Sequence, residues 1–174
     1  GMKSPTFNKG TTKCWTGKVT KNTENIVILT GAGISAESGI DTFREDGGLW
    51  SKFDFMTVAT PKGFEEHPET VLEFYNLCRN LLPNYEPNAA HEALVRLKKE
   101  HRGRVSIITQ NVDDLHERGT DIEVVHMHGS LLSGLCSQCG HRWRQKGDQT
   151  LDQQCSRCSS RSCRPDVVWF GEVP

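Results

Sequence analysis

A short apolar run that breaks into a glycine-rich turn constrains this chain more than any other feature. Residues 26–29 read IVIL, and such an unbroken aliphatic run suits a strand buried on both faces. Thr30-Gly31-Ala32-Gly33-Ile34-Ser35-Ala36 comes next and fits the pattern G-x-G-x-x-G/A, with Ala36 in the last place. In that pattern the first glycine turns sharply, the second lets backbone approach a pyrophosphate, and the third small residue seats the helix on the strand. Exposed N–H groups and the positive helix end then hold the anion. A plain structural turn could carry the same two glycines. Residues beyond the turn decide between these two possibilities.

The next strand expected is 105–109, so a long insertion intervenes, opening with Asp41-Thr42-Phe43-Arg44. An arginine just past a phosphate loop can pair with phosphate, and a phenylalanine beside it can cover a flat ring. Between them, 49–60 reads as a loop with short helical pieces, punctuated by Pro61 and Gly63. Helical spacing of Val71, Leu72, Tyr75, Cys78 and Leu82 predicts a helix over 65–82, with Pro68 in its first turn and Pro83 ending it. Asn88 suits the N-cap of a second helix over 89–100, with Ala90, Leu94 and Leu97 as its apolar stripe. Strands are expected at 105–109, 124–127 and 167–171, and a helix starting over 113–118.

Ligands of parallel sheets bind beyond the carboxyl ends of strands, where Gln110, Asn111 and Asp113 fall. Asn111 and Asp113 could equally cap the next helix. His128 comes just after a strand end, can exchange a proton near neutral pH, and has Gly129 beside it to leave room for a ligand. The bland alternative is a structural histidine. His126, two residues earlier, should point to the other side of a continuing strand and is read as structural.

Seven cysteines is an odd count, and four of them form Cys136-x2-Cys139-x15-Cys155-x2-Cys158. Two such pairs can enclose Zn2+ tetrahedrally at about 2.3 Å per sulfur. A closed four-sulfur shell has no open position, so the metal is structural. The pairing favours Cys158 over the nearby Cys163 as fourth ligand. This usage, without a hydrophobic signal segment, points to a reducing compartment and a cytoplasmic protein. Residues 2–23 lack acidic side chains, which leaves a mitochondrial leader as the alternative, although no arginine supports it. Cys14 and Trp15 would pin that leader to the core. No apolar run approaches membrane-spanning length. Lys+Arg of 21 against Asp+Glu of 22 argues against a surface built for nucleic-acid phosphates. At 174 residues the chain can bury one core plus a small satellite.

GAGISAESGIDTFR, Thr109-Gln110-Asn111-Val112-Asp113, His126-Met127-His128-Gly129 and Val167-Val168-Trp169-Phe170-Gly171-Glu172 resemble, in the same order, the motifs of the sirtuins, the NAD-dependent protein-lysine deacylases. The resemblance spans roughly residues 25–174. It implies that Gly31, Ala32, Gly33, Ser35, Ala36 and Arg44 hold NAD along its phosphates and that Phe43 shields the reacting centre. Gln110 would contact a ribose, while Asn111, Val112 and Asp113 line the nicotinamide pocket. An amide and a carboxylate suit a carboxamide through paired hydrogen bonds. It makes His128, with Asn111, catalytic: the acyl oxygen attacks the ribose carbon as nicotinamide leaves, His128 activates a ribose hydroxyl, and water completes transfer of the acyl group to ADP-ribose. Acylated lysine peptides or proteins would be the partners, added as a strand along Val168, Phe170, Gly171 and Glu172. The family pattern also favours Cys136, Cys139, Cys155 and Cys158 as the ligands of one Zn2+.

One sirtuin branch removes succinyl, malonyl and glutaryl groups with Tyr-x-x-Arg. Tyr75 is in place, but Cys78 stands at the arginine position and Arg79 comes one residue later, rotated by about 100° on a helix. Preference for acidic acyl groups is therefore expected to be weakened.

The fold expected is α/β: a Rossmann-like parallel sheet with helices on both faces and an inserted zinc ribbon. The leader occupies 1–24, the NAD-binding part 25–134 with 164–174, and the zinc module 135–163. Sirtuins continue with strands that hold the adenosine half of NAD, whereas this chain stops at Pro174. The sheet is thus expected to be incomplete at its C-terminus, with an exposed edge that invites self-association. A catalytically impaired NAD- or peptide-binding module is one alternative reading, and a protein ADP-ribosyltransferase is another.

Overall fold

The computed structural model describes residues 24–40 and 52–174. The leader with Cys14 and Trp15, and the expected NAD contacts Phe43 and Arg44, lie outside the described residues. Three strands form a parallel sheet in the order β1 (Asn25–Thr30), β2 (Arg104–Thr109) and β3 (Val124–His126). Thr30 pairs with Thr109 and Thr109 with His126, so the three carboxyl ends finish level. That alignment brings the motifs beyond each strand to one edge.

Cover on both faces of β1 is not what the structure shows. Val27 is 67% and Leu29 62% exposed, and Val125 of β3, at the other edge of the sheet, is 51% exposed. Ile107 and Val105 of β2 are buried. A run of aliphatic residues reports strand propensity and does not say which face finds a neighbour.

The single helix expected over 65–82 is two. Pro61 opens α3 (Pro61–Glu66), where the Thr60 hydroxyl accepts from the Gly63 N–H at 3.0 Å. His67 leaves helical geometry (φ −136°, ψ 55°), since the residue before a proline is disfavoured in a helix, and Pro68 starts α4 (Pro68–Leu81) afresh. Gly63 is therefore inside a helix and not loop punctuation. It packs against the end of α2 (Phe55–Val58), where a Cβ would stand 1.9 Å from the Thr57 carbonyl. A 3-10 turn at Leu82–Asn84 comes after α4. The glycine turn itself leads into the short α1 (Ala32–Ala36).

Asn88 caps α5 (Ala89–Glu100) as expected, its side chain accepting from the Ala90 N–H at 2.9 Å. The Asn88 N–H in turn donates to Nδ1 of His91 at 3.1 Å. Histidine thus does what glutamate usually does in a capping box. Ala90 is exposed, while His91 is the fully buried residue of the helix. The helix expected to start at 113–118 is instead a series of turns. Asp113 turns its carboxylate onto the Leu115 N–H at 3.1 Å, and Gly119, at φ +71°, reverses the chain.

The strand expected at 167–171 is also corrected. A second, antiparallel sheet has the order β5-β4-β6, with β4 (Gly129–Cys136) central, β5 (Arg142–Arg144) and β6 (Cys163–Val167). Pairing of Cys136 with Cys163 places the last strand upstream of the apolar run. Val168 to Gly171 leave the sheet, and the Val168 and Phe170 N–H groups donate to the carbonyls of His128 and Ala59, each at 2.9 Å. The main core joins α2, α4, β4 and this segment through Val58, Val71, Phe74, Tyr75, Leu82, Leu131 and Trp169. Cys136, Cys155 and Cys163 form a separate, much smaller cluster.

Candidate active site

Thr30 and Thr109 end neighbouring strands, and the Thr30 hydroxyl donates to Thr109 Oγ1 at 2.8 Å. With its proton used, Thr30 Oγ1 accepts from Nε2–H of His116 at 2.7 Å. Burial first, and then the neighbouring His91, hold the His116 pKa below the ordinary histidine value. Past the strand ends, the Gln110 N–H donates to the Thr30 carbonyl at 2.9 Å and the Asn111 N–H to Thr109 Oγ1 at 3.1 Å. Two threonines therefore lock the two loops that lie beyond them.

The glycine turn is gripped from the side. Nδ2 of Asn111 donates to the Gly31 carbonyl at 3.0 Å and to Ser35 Oγ at 3.2 Å, and Ser35 Oγ donates to Asp113 Oδ2 at 2.9 Å. Ser35, Asn111 and Asp113 are 1%, 8% and 6% exposed, so each bond is made away from water and its loss would strand a partner. Among the described residues, Gly31 caps α1 with no side-chain hydrogen bond to the helix end, and a Cβ on Gly33 would meet nothing within 4 Å. Bare N–H donors facing open space fit a phosphate. Asn88 ties the far end of α1 to α5 by donating to the Ile34 carbonyl at 2.7 Å. Ala32 is half-buried and Ala36 is exposed, so the last small residue of the pattern makes no close helix–strand contact. The Val112 carbonyl accepts from the Leu131 N–H at 2.9 Å, which fastens this loop to β4.

His128 is half-buried, with Nδ1 3.1 Å from the Gln110 carbonyl. A carbonyl can only accept, so Nδ1 carries a proton and Nε2 is the nitrogen left for other contacts. Gly129 beside it needs φ +81° and lies so close to β6 that a Cβ would stand 1.9 Å from the Asp166 carbonyl. The strand stops at His126, and that ring reaches the same loop: Nδ1 lies 3.0 Å from the Asn111 carbonyl and Nε2 2.9 Å from Glu117 Oε1.

In the segment expected to hold the peptide, Val168 is half-buried and Phe170 is 64% exposed, its ring 4.8 Å from that of Phe55. Gly171 turns the chain at φ +94°. Glu172 faces inward: it takes both terminal nitrogens of Arg164 at 2.6 and 3.0 Å and the Trp169 N–H at 2.8 Å. Arg164 also lies 3.5 Å above the Trp169 ring. Burial opposes the Glu172 charge, but Arg164 and the Trp169 N–H outweigh it and hold the pKa below the usual value. Tyr75 is buried and its hydroxyl accepts from the Trp169 indole N–H at 2.9 Å. Burial pushes the Cys78 thiol up to about 12, so it is neutral. Arg79 is turned onto the Leu131 carbonyl at 2.7 Å and Asn76 Oδ1 at 2.8 Å.

The four cysteines Cys136, Cys139, Cys155 and Cys158 bring their sulfurs within 4.8 Å of one another. Cys136 to Cys158 is 3.6 Å and Cys139 to Cys155 is 3.7 Å. Zn–S bonds of about 2.3 Å in a tetrahedron separate the sulfurs by about 3.8 Å, so the set fits one structural zinc. Cys163 is buried beside them but outside the set.

Thr30, Thr109, His116, Glu117 and Arg164 also hold this region together; the two threonines open two of the sequence motifs, and nothing in the sequence marks the other three. Threonine at the end of two successive aliphatic strands is the one available signal. His126, which reads as structural in sequence, joins them through its two ring nitrogens.

The pattern of the Sir2 family matches residues 31–174. A curated protein of Vibrio vulnificus, named NAD-dependent protein deacylase, is 53% identical over 153 residues, covering 86% of this chain and 62% of that protein. A crystal structure of a Sir2 homologue in complex with NAD is 41% identical, with a TM-score of 0.75 over 87% of this chain and 59% of that one. A Sir2 structure with a deacetylated p53 peptide and 3'-O-acetyl ADP-ribose is 31% identical, with a TM-score of 0.63 over 85% and 61% of the two chains. The chain spans about three fifths of the length of these relatives.

Proposed function

The chain belongs to the Sir2 family, and we propose that the protein acts as an NAD-dependent protein-lysine deacylase. The observation that carries this reading is the strand-end network. It holds an open glycine turn by Asn111, Ser35 and Asp113 and sets His128, held through Nδ1, at the same edge. NAD, when bound, supplies a ribose carbon that nicotinamide can leave and ribose hydroxyls that can accept an acyl group.

The chain's own residues divide the work. The glycine turn of Gly31 to Ser35 receives the phosphates, with Arg44 as their cation and Phe43 as cover. The Gln110 side chain lies within 4.0 Å of where a Gly31 Cβ would be, at the ribose end of the turn. Nδ2 of Asn111 is occupied by Gly31 and Ser35, which leaves Oδ1 to accept from the nicotinamide carboxamide beside Val112 and Asp113. The Gln110 carbonyl fixes the His128 tautomer, so Nε2 takes the proton of a ribose hydroxyl. An acylated lysine peptide lies along Val168, Phe170 and Gly171, a segment braced from behind by Glu172, Arg164 and Trp169. Free thiols and a four-cysteine zinc site suit a reducing compartment, and we place the protein in the cytoplasm.

The acyl group we favour is acetyl. A succinyl carboxylate beside Tyr75 would meet the neutral Cys78, while Arg79 is engaged by Leu131 and Asn76. Burying that carboxylate without a cation costs more than one contact with the tyrosine hydroxyl returns. Mass spectrometry of acetyl- and succinyl-lysine peptides incubated with NAD tests both points. Deacetylation at least matching desuccinylation, with Cys78→Arg shifting the balance toward succinyl, supports the reading. No NAD-dependent loss of either group contradicts the activity, and strong succinyl preference that survives Arg79→Ala contradicts the acyl assignment.

A further inference from the structure

We propose that His126 is a positioning residue: as an imidazolium paired with Glu117, it holds the Asn111 main-chain carbonyl and so sets the Asn111 side chain against the nucleotide turn. The proposal deepens the deacylase reading, and its activity arm rests on that reading.

Both ring nitrogens of His126 face oxygens, the Asn111 carbonyl at 3.0 Å and Glu117 Oε1 at 2.9 Å. A carbonyl and a carboxylate only accept, so both nitrogens must carry protons. The alternative, a protonated Glu117 donating to a neutral ring, puts the proton on the weaker base, since free glutamate titrates near about 4.3 and histidine near about 6.5. Glu117 has no competing cation in the same turn, because Arg118 pairs with Asp114. Its second oxygen is buried with no hydrogen-bond partner among the described residues, which leaves His126 as its counter-charge.

The surrounding groups agree. Burial opposes the charged ring, but the Glu117 hydrogen bond, the Asn111 carbonyl and the charges of Glu117 and Asp113 outweigh it, and the His126 pKa lies above the ordinary value. His116, the other titratable ring nearby, has its pKa lowered and adds little repulsion. His128, two residues on, binds the Gln110 carbonyl through one nitrogen, and among the described residues no carboxylate pairs with the other.

Asn111 is otherwise fixed by its N–H on Thr109 and its Nδ2 on Gly31 and Ser35. The His126 bond to its carbonyl completes the set. Loss of the Nε2 proton would set a lone pair against Glu117 and turn the ring away. A raised pKa means that the clamp is intact below the free histidine value and is released as pH rises through the higher folded value.

The test tracks imidazole 15N shifts of the full chain with pH, assigned through His126→Gln. The expected result is a doubly protonated His126 at neutral pH, with the His126 midpoint falling by about 1–3 units in Glu117→Gln. A singly protonated His126 at neutral pH in the unaltered chain overturns the proposal, whatever the variants do. In the activity arm, kcat/KM for NAD in nicotinamide release should fall through the same midpoint. His126→Gln, which still donates one bond to the carbonyl, should lose that limb and run about 10- to 100-fold lower. An unchanged alkaline limb in His126→Gln overturns the positioning role. If no form releases nicotinamide, the deacylase reading fails and the ring-nitrogen titration alone decides the clamp.

Discussion

The parallel sheet and the zinc-bearing sheet solve the same problem by opposite means. At the ends of β1, β2 and β3, order comes from buried polar side chains that satisfy one another: Thr30 with Thr109, Asn111 with Ser35, Ser35 with Asp113. In the second sheet, order at the far end comes from four sulfurs around one point, with almost no apolar core beneath them. The first arrangement spreads its stability over many modest bonds, each of which can be altered singly. The second concentrates it in one centre. Specific ligand geometry belongs on the first kind of scaffold, and a rigid brace on the second.

The largest effect should come from breaking the concentrated region. Cys155→Ser removes one of four zinc ligands, and the metal contributes about 10–16 kcal/mol of apparent binding free energy in structural sites of this kind. Zinc content by metal analysis should fall and the signals of β4 to β6 should disperse, whereas Cys163→Ser should keep the metal. Zinc retained in Cys155→Ser, or lost in Cys163→Ser, would mean that the ligand set is wrong.

Within the distributed region the losses should be smaller and graded. Asp113→Ala leaves the Ser35 hydroxyl and the Leu115 N–H without their acceptor and should cost about 1–3 kcal/mol in a denaturant titration. Ser35→Ala should cost less, because Asn111 keeps its bond to Gly31. Equal losses, or a loss as large as that of a zinc ligand, would show that the network behaves as one unit.

These differences also explain what can be read from the sequence. The four-cysteine cluster is legible because metal sites are encoded in spacing, and spacing survives any fold. The glycine turn, Asn88 and the strands at β1, β2 and β3 are legible for a similar reason, each being a local pattern. The tertiary partners are not. Nothing near Glu117 in sequence says that it meets His126, and Arg164 finds Glu172 only because the 168–171 segment leaves its sheet. The helix expected at 113–118 is replaced by turns, and Asp113 divides its carboxylate between the Leu115 N–H and the distant Ser35 hydroxyl, a partner no local pattern names. Helix 65–82 fails at Pro68, which reads as tolerated inside a first turn but in fact starts a new helix.

Acid should separate the regions further. Burial lowers the pKa of His91 and His116, so their folded forms resist protonation that the unfolded chain accepts. Their contribution to stability is full above the free histidine value and is lost as pH falls below it. Hydrogen exchange in zinc-saturated protein should show protection of β1 and β2 falling as pH drops through the free histidine range. His116→Gln should flatten that response, and an unchanged response would remove His116 from the account. The smallest effect is expected on the open face: Val27→Thr, at a position 67% exposed, should change stability by no more than about 0.5 kcal/mol. A much larger loss would show that this face is covered in solution.

The central claim is that the strand-end network binds NAD while Nε2 of His128 performs the chemistry. Measuring NAD affinity by calorimetry and deacetylation by mass spectrometry on His128→Ala, with the unaltered protein alongside, tests it directly. The account predicts NAD binding within a few-fold of the original and deacetylation slower by about 100- to 10,000-fold. Deacetylation at the original rate in His128→Ala, or no NAD binding by the unaltered protein, would contradict it.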